Sequence, residues 1–529
     1  MYSKVLSGSL EGLEAQMIQV EADVSNGLPV FDMVGYLASE VKEARERVRA
    51  AIKNQGYLLP AKRITINLAP ANIRKSGSVY DLPVAMSIML AVGWCKNLPE
   101  PVLFLGELGL NGSLRKVEGV LPMVLGARED GIRVCVVPAD NWREASMASD
   151  MFCISGEDLN EVLNVIDQWD AMDEKEVFLK NRMGFEEERE KKRRERLYKD
   201  GGLVEGKGVE ADFSEIRGQF VPRRAIEIAV SGHHNLLMVG PPGSGKTALA
   251  SRIPSIMPTL TEEESLELTK IYSVRGQYDQ AEAVIKKRPF RAPHHTISAA
   301  AMIGGGTGAK PGEVSLAHKG VLFLDEFPEY ARHVLELLRQ PLEEGKIMIS
   351  RNRRSCIYPA DFMLVGAMNP CPCGYYPDRR RCFCTENQVR RYQSKISGPL
   401  LDRIDLMVRV NPITFEQMQT DKPGESSEAI RKRATQARKI QQERYKDENY
   451  HTNSKLNRRG LEKYCSLTQE SVKWLDDFFA HHEISARGYE RILRIARTIA
   501  DMDGEEKIEQ NHVAEAAAFK LGFGEGDFH

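Results

Sequence analysis

Two periodicities alternate along the first third of the chain. Met17-Ile-Gln-Val-Glu-Ala-Asp-Val24 switches between apolar and polar with period two, which predicts a half-buried strand, and Arg63-Ile-Thr-Ile-Asn-Leu68 predicts a second. From Ser39 to Gly56, Val41, Ala44, Val48 and Ile52 share one face of a helix that Gly56 stops. Asp81-Leu-Pro-Val-Ala-Met opens another helix with Pro83 in its first turn, and Val102-Leu-Phe-Leu-Gly-Glu-Leu108 reads as a further strand. An α/β sandwich follows from this alternation. The pattern stops between Phe185 and Asp200, where Glu-Glu-Glu-Arg-Glu-Lys-Lys-Arg-Arg-Glu-Arg precedes Gly201-Gly. Such a stretch buries no core and reads as a solvated helix or linker.

Beyond it the apolar runs are short and unbroken, as in parallel strands buried on both faces. Leu236-Leu-Met-Val239 leads into Gly240, Pro241, Pro242, Gly243, Ser244, Gly245, Lys246 and Thr247, and then into helical Ala-Leu-Ala. Between a strand and a helix, this spacing is a phosphate-binding loop. The glycines let successive N–H groups turn onto phosphates, Lys246 reaches the β/γ oxygens, and the Thr247 hydroxyl suits Mg²⁺. A second run, Val321-Leu-Phe-Leu324, ends in Asp325 and Glu326. Carboxylates at the C-terminal end of a parallel strand fit an Asp325 that holds Mg²⁺ ligands and a Glu326 that polarises a water for attack on the γ-phosphate. A third run, Phe362 to Met368, delivers Asn369 to the same edge, either to orient that water or simply to end the strand before Pro370. Arg403, after Gly398-Pro-Leu-Leu-Asp402, and Arg487, after Ser485-Ala, are candidate guanidinium groups for phosphate charge. The C-terminal part turns helical: Ser426 to Tyr445, Thr468 to Ala480, Arg487 to Asp501 with a stripe from Tyr489 to Ile499, and a last helix with Asn511 as its cap.

At 529 residues and 42% hydrophobic, with no apolar run near eighteen, the chain predicts about three domains and no membrane span. Its first residues lack a secretory pattern and its nine cysteines are unevenly spaced, which predicts a cytoplasmic protein without a disulfide framework. A net charge of −2 leaves nucleic-acid contact to local patches.

Two features of the central region go beyond ATP chemistry. Cys371, Cys373, Cys382 and Cys384 form two Cys-x-Cys pairs eight residues apart, which suits either a structural Zn²⁺ or free thiols in a surface loop. Lys346 to Tyr358 alternates apolar and polar residues about an Asn-containing tip, a β-hairpin signal with Arg351, Arg353 and Arg354 at the tip. That tip is either a nucleic-acid contact or an ordinary solvated turn.

The order of phosphate loop, Leu-Asp-Glu, Asn369, Leu-Leu-Asp-Arg and Ser-Ala-Arg resembles AAA+ ATPases of the helix-2-insert branch, shared by magnesium chelatase I subunits and MCM helicases. End to end, the chain resembles the ComM/YifB-type magnesium chelatase-like family through Arg291-Ala-Pro-His-His-Thr, Pro311-Gly-Glu-Val-Ser-Leu-Ala-His-Lys-Gly and Asn369-Pro-Cys-Pro-Cys-Gly. The resemblance implies Asn369 as sensor 1, Arg403 as a trans-acting arginine finger, Arg487 as sensor 2 on a lid that closes over the nucleotide, and Gln219 in the adenine-side wall. It implies that residues 293–312 are the helix-2 insert and that the Arg351–Arg354 hairpin faces a central pore. His294 and His295 lack partners for a metal and are assigned structural or nucleotide-relay roles. Lys75-Ser-Gly-Ser-Val-Tyr-Asp81 and Gly106 to Leu121 resemble the Lon protease C-terminal domain, with Asp81 in place of its nucleophile and Leu121 in place of its lysine, so no peptidase is expected.

The expected architecture is α/β: a Lon-protease-like α+β domain at 1–165, a charged linker at 166–211, a three-layer AAA+ core at 212–411 with a Cys-rich insert at 371–384, and an all-α lid at 412–529. The expected function is a hexameric, ATP-hydrolysing motor on single-stranded or branched DNA, a branch-migration helicase in recombination or natural transformation, using ATP, Mg²⁺ and a structural Zn²⁺. A protein-remodelling ATPase and a magnesium chelatase motor subunit are the alternatives. Against chelatase stands the lack of an Asp-x-Ser-x-Ser site, and against remodelling the lack of an aromatic pore loop.

Overall fold

The structure is a computed structural model that describes residues 1–96, 98, 100–168, 212–278, 284–306, 308–351, 354–413, 424–482 and 484–521. The charged run and most of the expected linker therefore lie outside the described residues.

The N-terminal part is built on strands β1 (Tyr2–Glu11), β2 (Glu14–Ser25), β3 (Phe31–Val34), β4 (Arg63–Ala69), β5 (Val102–Phe104), β8 (Val134–Pro138) and β9 (Phe152–Gly156). They form one mixed sheet in the order β3-β4-β2-β1-β5-β8-β9. Helices Ser39–Asn54, Asp81–Val92 and Val120–Glu129 pack on it, the first through Val41, Ala44, Val48, Ala51 and Ile52, four of which its periodicity predicts. The run 102–108 is not one strand. Gly106 donates to Val79 O and its carbonyl accepts from Leu82 N–H, which ties the chain to the start of helix Asp81–Val92. Residues Glu107–Leu108 (β6) then pair with Leu114–Arg115 (β7) instead.

The central part holds five parallel strands: β10 (Leu236–Val239), β11 (Phe290–Arg291), β14 (Val321–Leu324), β17 (Met363–Met368) and β18 (Leu406–Arg409), in the order β11-β14-β17-β10-β18. Strands β10, β14 and β17 are buried at every position, as expected of a parallel sheet covered on both faces. Between β11 and β14 the chain forms helix Ala299–Ile303 and a small pair, β12 (Gly304–Gly305) with β13 (Lys310–Pro311). The anticipated hairpin is present as β15 (Lys346–Arg351) and β16 (Arg354–Pro359), with Arg351 opposite Arg354. Arg353 lies outside the described residues.

Helices Ser427–Arg444, Gln469–His481 and Ala486–Asp503 follow the predicted spans closely, and the third buries Ile492, Leu493, Ile495, Ala496 and Ile499 of its predicted stripe. The last helix, Gln510–Leu521, starts one residue before Asn511, so Asn511 is not its cap. The ring of His512 reaches back instead, accepting from the Glu509 N–H. This helical part is bolted to the sheet through His234, which contacts Asp405 at 3.1 Å and Thr498 at 2.8 Å.

The N-terminal and central parts share polar seams. Buried Glu144 accepts from Leu121 N–H and from the Ser273 hydroxyl, and Gly119 N–H donates to Ser273 O. The turn at Gly12, between β1 and β2, packs against Cys356 and Ile357 of β16. No helix among the described residues is long and apolar enough to cross a membrane.

Candidate functional site

Three parallel strands end side by side, and their ends gather the chemistry. After β10 the loop 240–247 turns into helix Lys246–Ile256, with Gly243 at φ 74° and Gly245 at φ 90°, where a Cβ would be strained. At Gly240 a Cβ would collide with the Val410 carbonyl, which explains the residue type. Lys246 Nζ donates to the carbonyls of Gly240 and Pro241 at 2.7 and 3.0 Å and to Asn369 Oδ1 at 3.3 Å. Burial pulls its ammonium below the usual lysine range against the attraction of Asp325.

Thr247 Oγ1 donates to Asp325 Oδ2 at 2.8 Å, so the hydroxyl from the loop and the carboxylate from β14 already meet. Two hard oxygen donors beside a phosphate loop fit Mg²⁺, and Thr247 and Asp325 are the residues that would hold it. Bound there, the ion would neutralise charge developing on the phosphates. Asp325 Oδ1 accepts from the Glu326 N–H at 2.9 Å. Glu326 adopts φ 50°, and its side chain is 59% exposed. This turns it out from the sheet edge, where a water in line with a γ-phosphate can be reached. Gln219, also at positive φ, donates to Ser244 O and Asn411 O and so closes the loop's far side.

The structure thus brings together Gly240 to Thr247, Asp325, Glu326, Asn369 and Gln219. It adds His295, whose Nδ1 lies 3.2 Å from Glu326 Oε2. His295 is held between the His294 ring, 4.1 Å away, and the edge of Tyr330. No local pattern announces that contact, because His295 follows β11 and Glu326 follows β14.

The two arginines sit elsewhere. Arg403 turns to Glu343 and the Pro399 carbonyl. Arg487 pairs with Asp402 at 3.1 Å, and Arg491 holds the other oxygen of Asp402 at 2.7 Å. Arg487 therefore stands beside the Arg403 segment. Asp402 is the reason, since it offers Arg487 a carboxylate at the start of helix Ala486–Asp503.

Next to Asn369, Cys371, Cys373, Cys382 and Cys384 converge with their sulfurs all within 4.8 Å of one another, which is metal-ligating geometry. Beneath the hairpin, Met348 and Ile357 face each other across β15 and β16 with half their surface exposed, an apolar pair that the basic tip had overshadowed.

In the N-terminal part the pair Asp81 and Leu121 is closed off from solvent. Asp81 is fully buried and gives both oxygens to Arg47, at 2.7 and 2.9 Å, and one to the Leu108 N–H. Leu121 is fully buried as well.

Comparison with known proteins covers nearly all of this. Residues 212–418 match the family described as magnesium chelatase, subunit ChlI; residues 20–141 match subunit ChlI of Mg-chelatase; and residues 424–520 match the subunit ChlI C-terminal family. The YifB protein of Salmonella typhimurium is 40% identical over 512 residues, 96% of this chain and 95% of its own. The competence protein ComM of Haemophilus influenzae is 39% identical over 520 residues, 98% of this chain and 97% of its own. A magnesium-chelatase 67 kDa subunit of Chlorobaculum parvum is 27% identical over 173 residues, only 32% of this chain and 22% of its own. With a parallel α/β core whose phosphate loop, acidic pair and asparagine meet at one sheet edge, and with relatives matched from end to end, the chain belongs to the ComM/YifB-type magnesium chelatase-like family.

Proposed function

We propose that this protein is an AAA+ ATPase that hydrolyses ATP with Glu326 as the base and moves along DNA as a homo-hexamer. The observation that carries the chemistry is the meeting of Thr247 with Asp325 and of Lys246 with Asn369 at one edge, with Glu326 turned outward beside them. In this reading phosphate N–H contacts come from the loop, Asn369 orients the water, and Arg403 and Arg487 serve a nucleotide bound by the neighbouring subunit. Arg487 pairs with Asp402, the residue before Arg403, and Arg403 pairs with Glu343, which supports a role for the two guanidinium groups in one region of the surface. ATP and Mg²⁺ are the cofactors, with a structural Zn²⁺ at the four cysteines. The N-terminal module is a Lon-like domain without a dyad, residues 293–312 are the helix-2 insert, and both serve assembly or polymer gripping.

DNA is the favoured polymer because the β15–β16 hairpin sets Arg351 opposite Arg354, with Arg353 between them in the sequence, and because a full-length relative is a competence protein. Branch migration of incoming single strands is the specific activity. The exposed Met348 and Ile357 pair on the same hairpin favours a polypeptide as second reading.

The test is salt-dependent binding of single-stranded and forked DNA. Replacing Arg351, Arg353 and Arg354 with Ala should weaken affinity and flatten the log–log salt slope by about two to three units, at ~0.7–0.9 per phosphate contact. ATP hydrolysis without DNA should persist. Unchanged affinity and slope, with turnover stimulated by an unfolded polypeptide, would replace DNA by protein as the substrate.

A further inference from the structure

The loop 371–384 has almost no apolar core of its own. Its buried centre is Cys371 and Cys382 against Val389, fringed by Cys373, Cys384, Tyr375 and Tyr376. A loop of this size needs a cross-link or an ion to hold one conformation. All four cysteines are free, and the sulfur separations are 3.3 Å for Cys371–Cys373, 3.7 Å for Cys371–Cys382 and 3.6 Å for Cys373–Cys382. A disulfide would need about 2.05 Å. Four thiolates at ~2.3 Å from a tetrahedral Zn²⁺ stand about 3.8 Å apart, close to what is found. The Tyr376 N–H points at Cys371 Sγ from 3.4 Å, the kind of donor that orients a thiolate ligand.

This loop also touches the hydrolysis machinery at three points. Cys371 follows Asn369 by two residues, and the Gln393 amide, beyond the loop, donates to the Pro370 carbonyl at 3.2 Å. Gly374, at φ 88°, lies so close to the phosphate loop that a Cβ there would stand 2.5 Å from Pro242 Cδ. Pro372 lines one cleft together with Glu326 and Asn369. The cysteines are therefore the far side of a short lever whose near side is Pro242 and Asn369.

Resting on the motor and zinc readings above, we infer that the metal-bound cysteine loop braces the ATP site: its occupancy fixes Pro242 and Asn369, and so sets turnover. The brace acts on positioning. Losing it costs kcat, while the N–H groups of the phosphate loop keep most of their hold on nucleotide.

The experiment uses the full-length chain purified without chelator. Elemental analysis should give one Zn per chain, and Co²⁺ exchanged into it should show thiolate-to-cobalt charge transfer and tetrahedral d–d bands. Cys371→Ser with Cys382→Ser should abolish both signals and lower kcat about 10-fold or more, with nucleotide affinity changed far less. Gly374→Ala leaves every ligand in place but drives a methyl into Pro242. It should keep zinc and the cobalt spectrum, yet also lose about 10-fold in kcat, so the coupling is tested even where the double cysteine variant does not fold. A parent chain that binds neither Zn²⁺ nor Co²⁺ overturns the metal site and the brace together. Zinc present with unchanged kcat in Gly374→Ala overturns the brace alone. A zinc-loaded parent that hydrolyses no ATP overturns the motor reading and the brace, while the metal site stands.

Discussion

The two sheets of this molecule treat their carboxylates in opposite ways. In the N-terminal sheet Asp81 is sealed: no surface, two hydrogen bonds from Arg47 and a third from Leu108 N–H. Burial pushes its carboxyl up and the guanidinium pulls it back, so the group is spent on holding helices Ser39–Asn54 and Asp81–Val92 together. At the edge of the central sheet, Asp325 and Glu326 are held by groups that can exchange partners: a hydroxyl, a backbone N–H and a histidine. A buried carboxylate whose two oxygens both have fixed partners is structural, whereas one with replaceable partners and an open approach can do chemistry.

The sharpest way to break this contrast is Glu326→Gln. It keeps the size and the φ 50° turn but removes the base, so it should bind ATP with near-parent affinity and hydrolyse it ~10²–10⁴-fold more slowly. Single-turnover phosphate release checks it. Near-normal turnover would return Glu326 to the structural class.

Next in size is Asp81→Ala. Removing the sealed carboxylate strands the Arg47 guanidinium and should destabilise the N-terminal part by about 3 kcal/mol, read as a lower thermal midpoint by calorimetry. Hydrolysis per folded chain should hold. A loss of turnover without a loss of stability would mean that the sealed Asp81 still reports to the central part, through the seam at Glu144 and Ser273.

Much of the central part is legible in the sequence because a buried parallel strand leaves a compact signature, an apolar run ending in a polar residue at one edge of the sheet. Val321–Leu324 and Phe362–Met368 carry it, ending in Asp325 and Asn369, and Leu236–Val239 runs instead into the glycines of the phosphate loop. Helix Ser39–Asn54 and the helices after residue 426 are equally plain, since a one-sided stripe leaves little choice of face. What escapes is set by tertiary partners. The break at Gly106 depends on Leu82 and Val79, the last cap on a ring three residues away, and the approach of His295 to Glu326 on the pairing of β11 with β14, which brings the segments after them together. The four cysteines stand between these cases: spacing names the ligands, and only the fold shows that they lean on Pro242.

A milder test concerns the opposite edge of the central sheet, where a histidine is sealed as Asp81 is. His233 ends helix Phe220–Gly232 at φ 60°, 8% exposed, with Asp361 3.5 Å away and Arg438 and Lys455 nearby. Burial pulls its imidazole down to about 4; Asp361 opposes that shift, and the two cations add to it. Asp361 keeps its charge through Lys319 at 3.0 Å and Lys455 at 3.4 Å. In the unfolded chain a histidine takes up its proton below about 6.5, whereas His233 in the folded chain stays neutral until about 4. Between those values the unfolded state binds more protons, so stability is complete above the unfolded pKa and declines as pH falls through this window. From pH 7 to 5 the loss should be about 2 kcal/mol. His233→Asn retains a residue tolerant of positive φ and has no proton to gain. The difference in unfolding free energy between parent and variant should therefore change by about that amount over the same range, which denaturant titrations at several pH values measure. A difference that stays flat with pH would mean that His233 gains its proton in the fold as it does in the unfolded chain, and one that moves the opposite way, with His233 more stabilising as pH falls, would mean that the ring is held charged against Asp361 and that this edge is sealed by an ion pair.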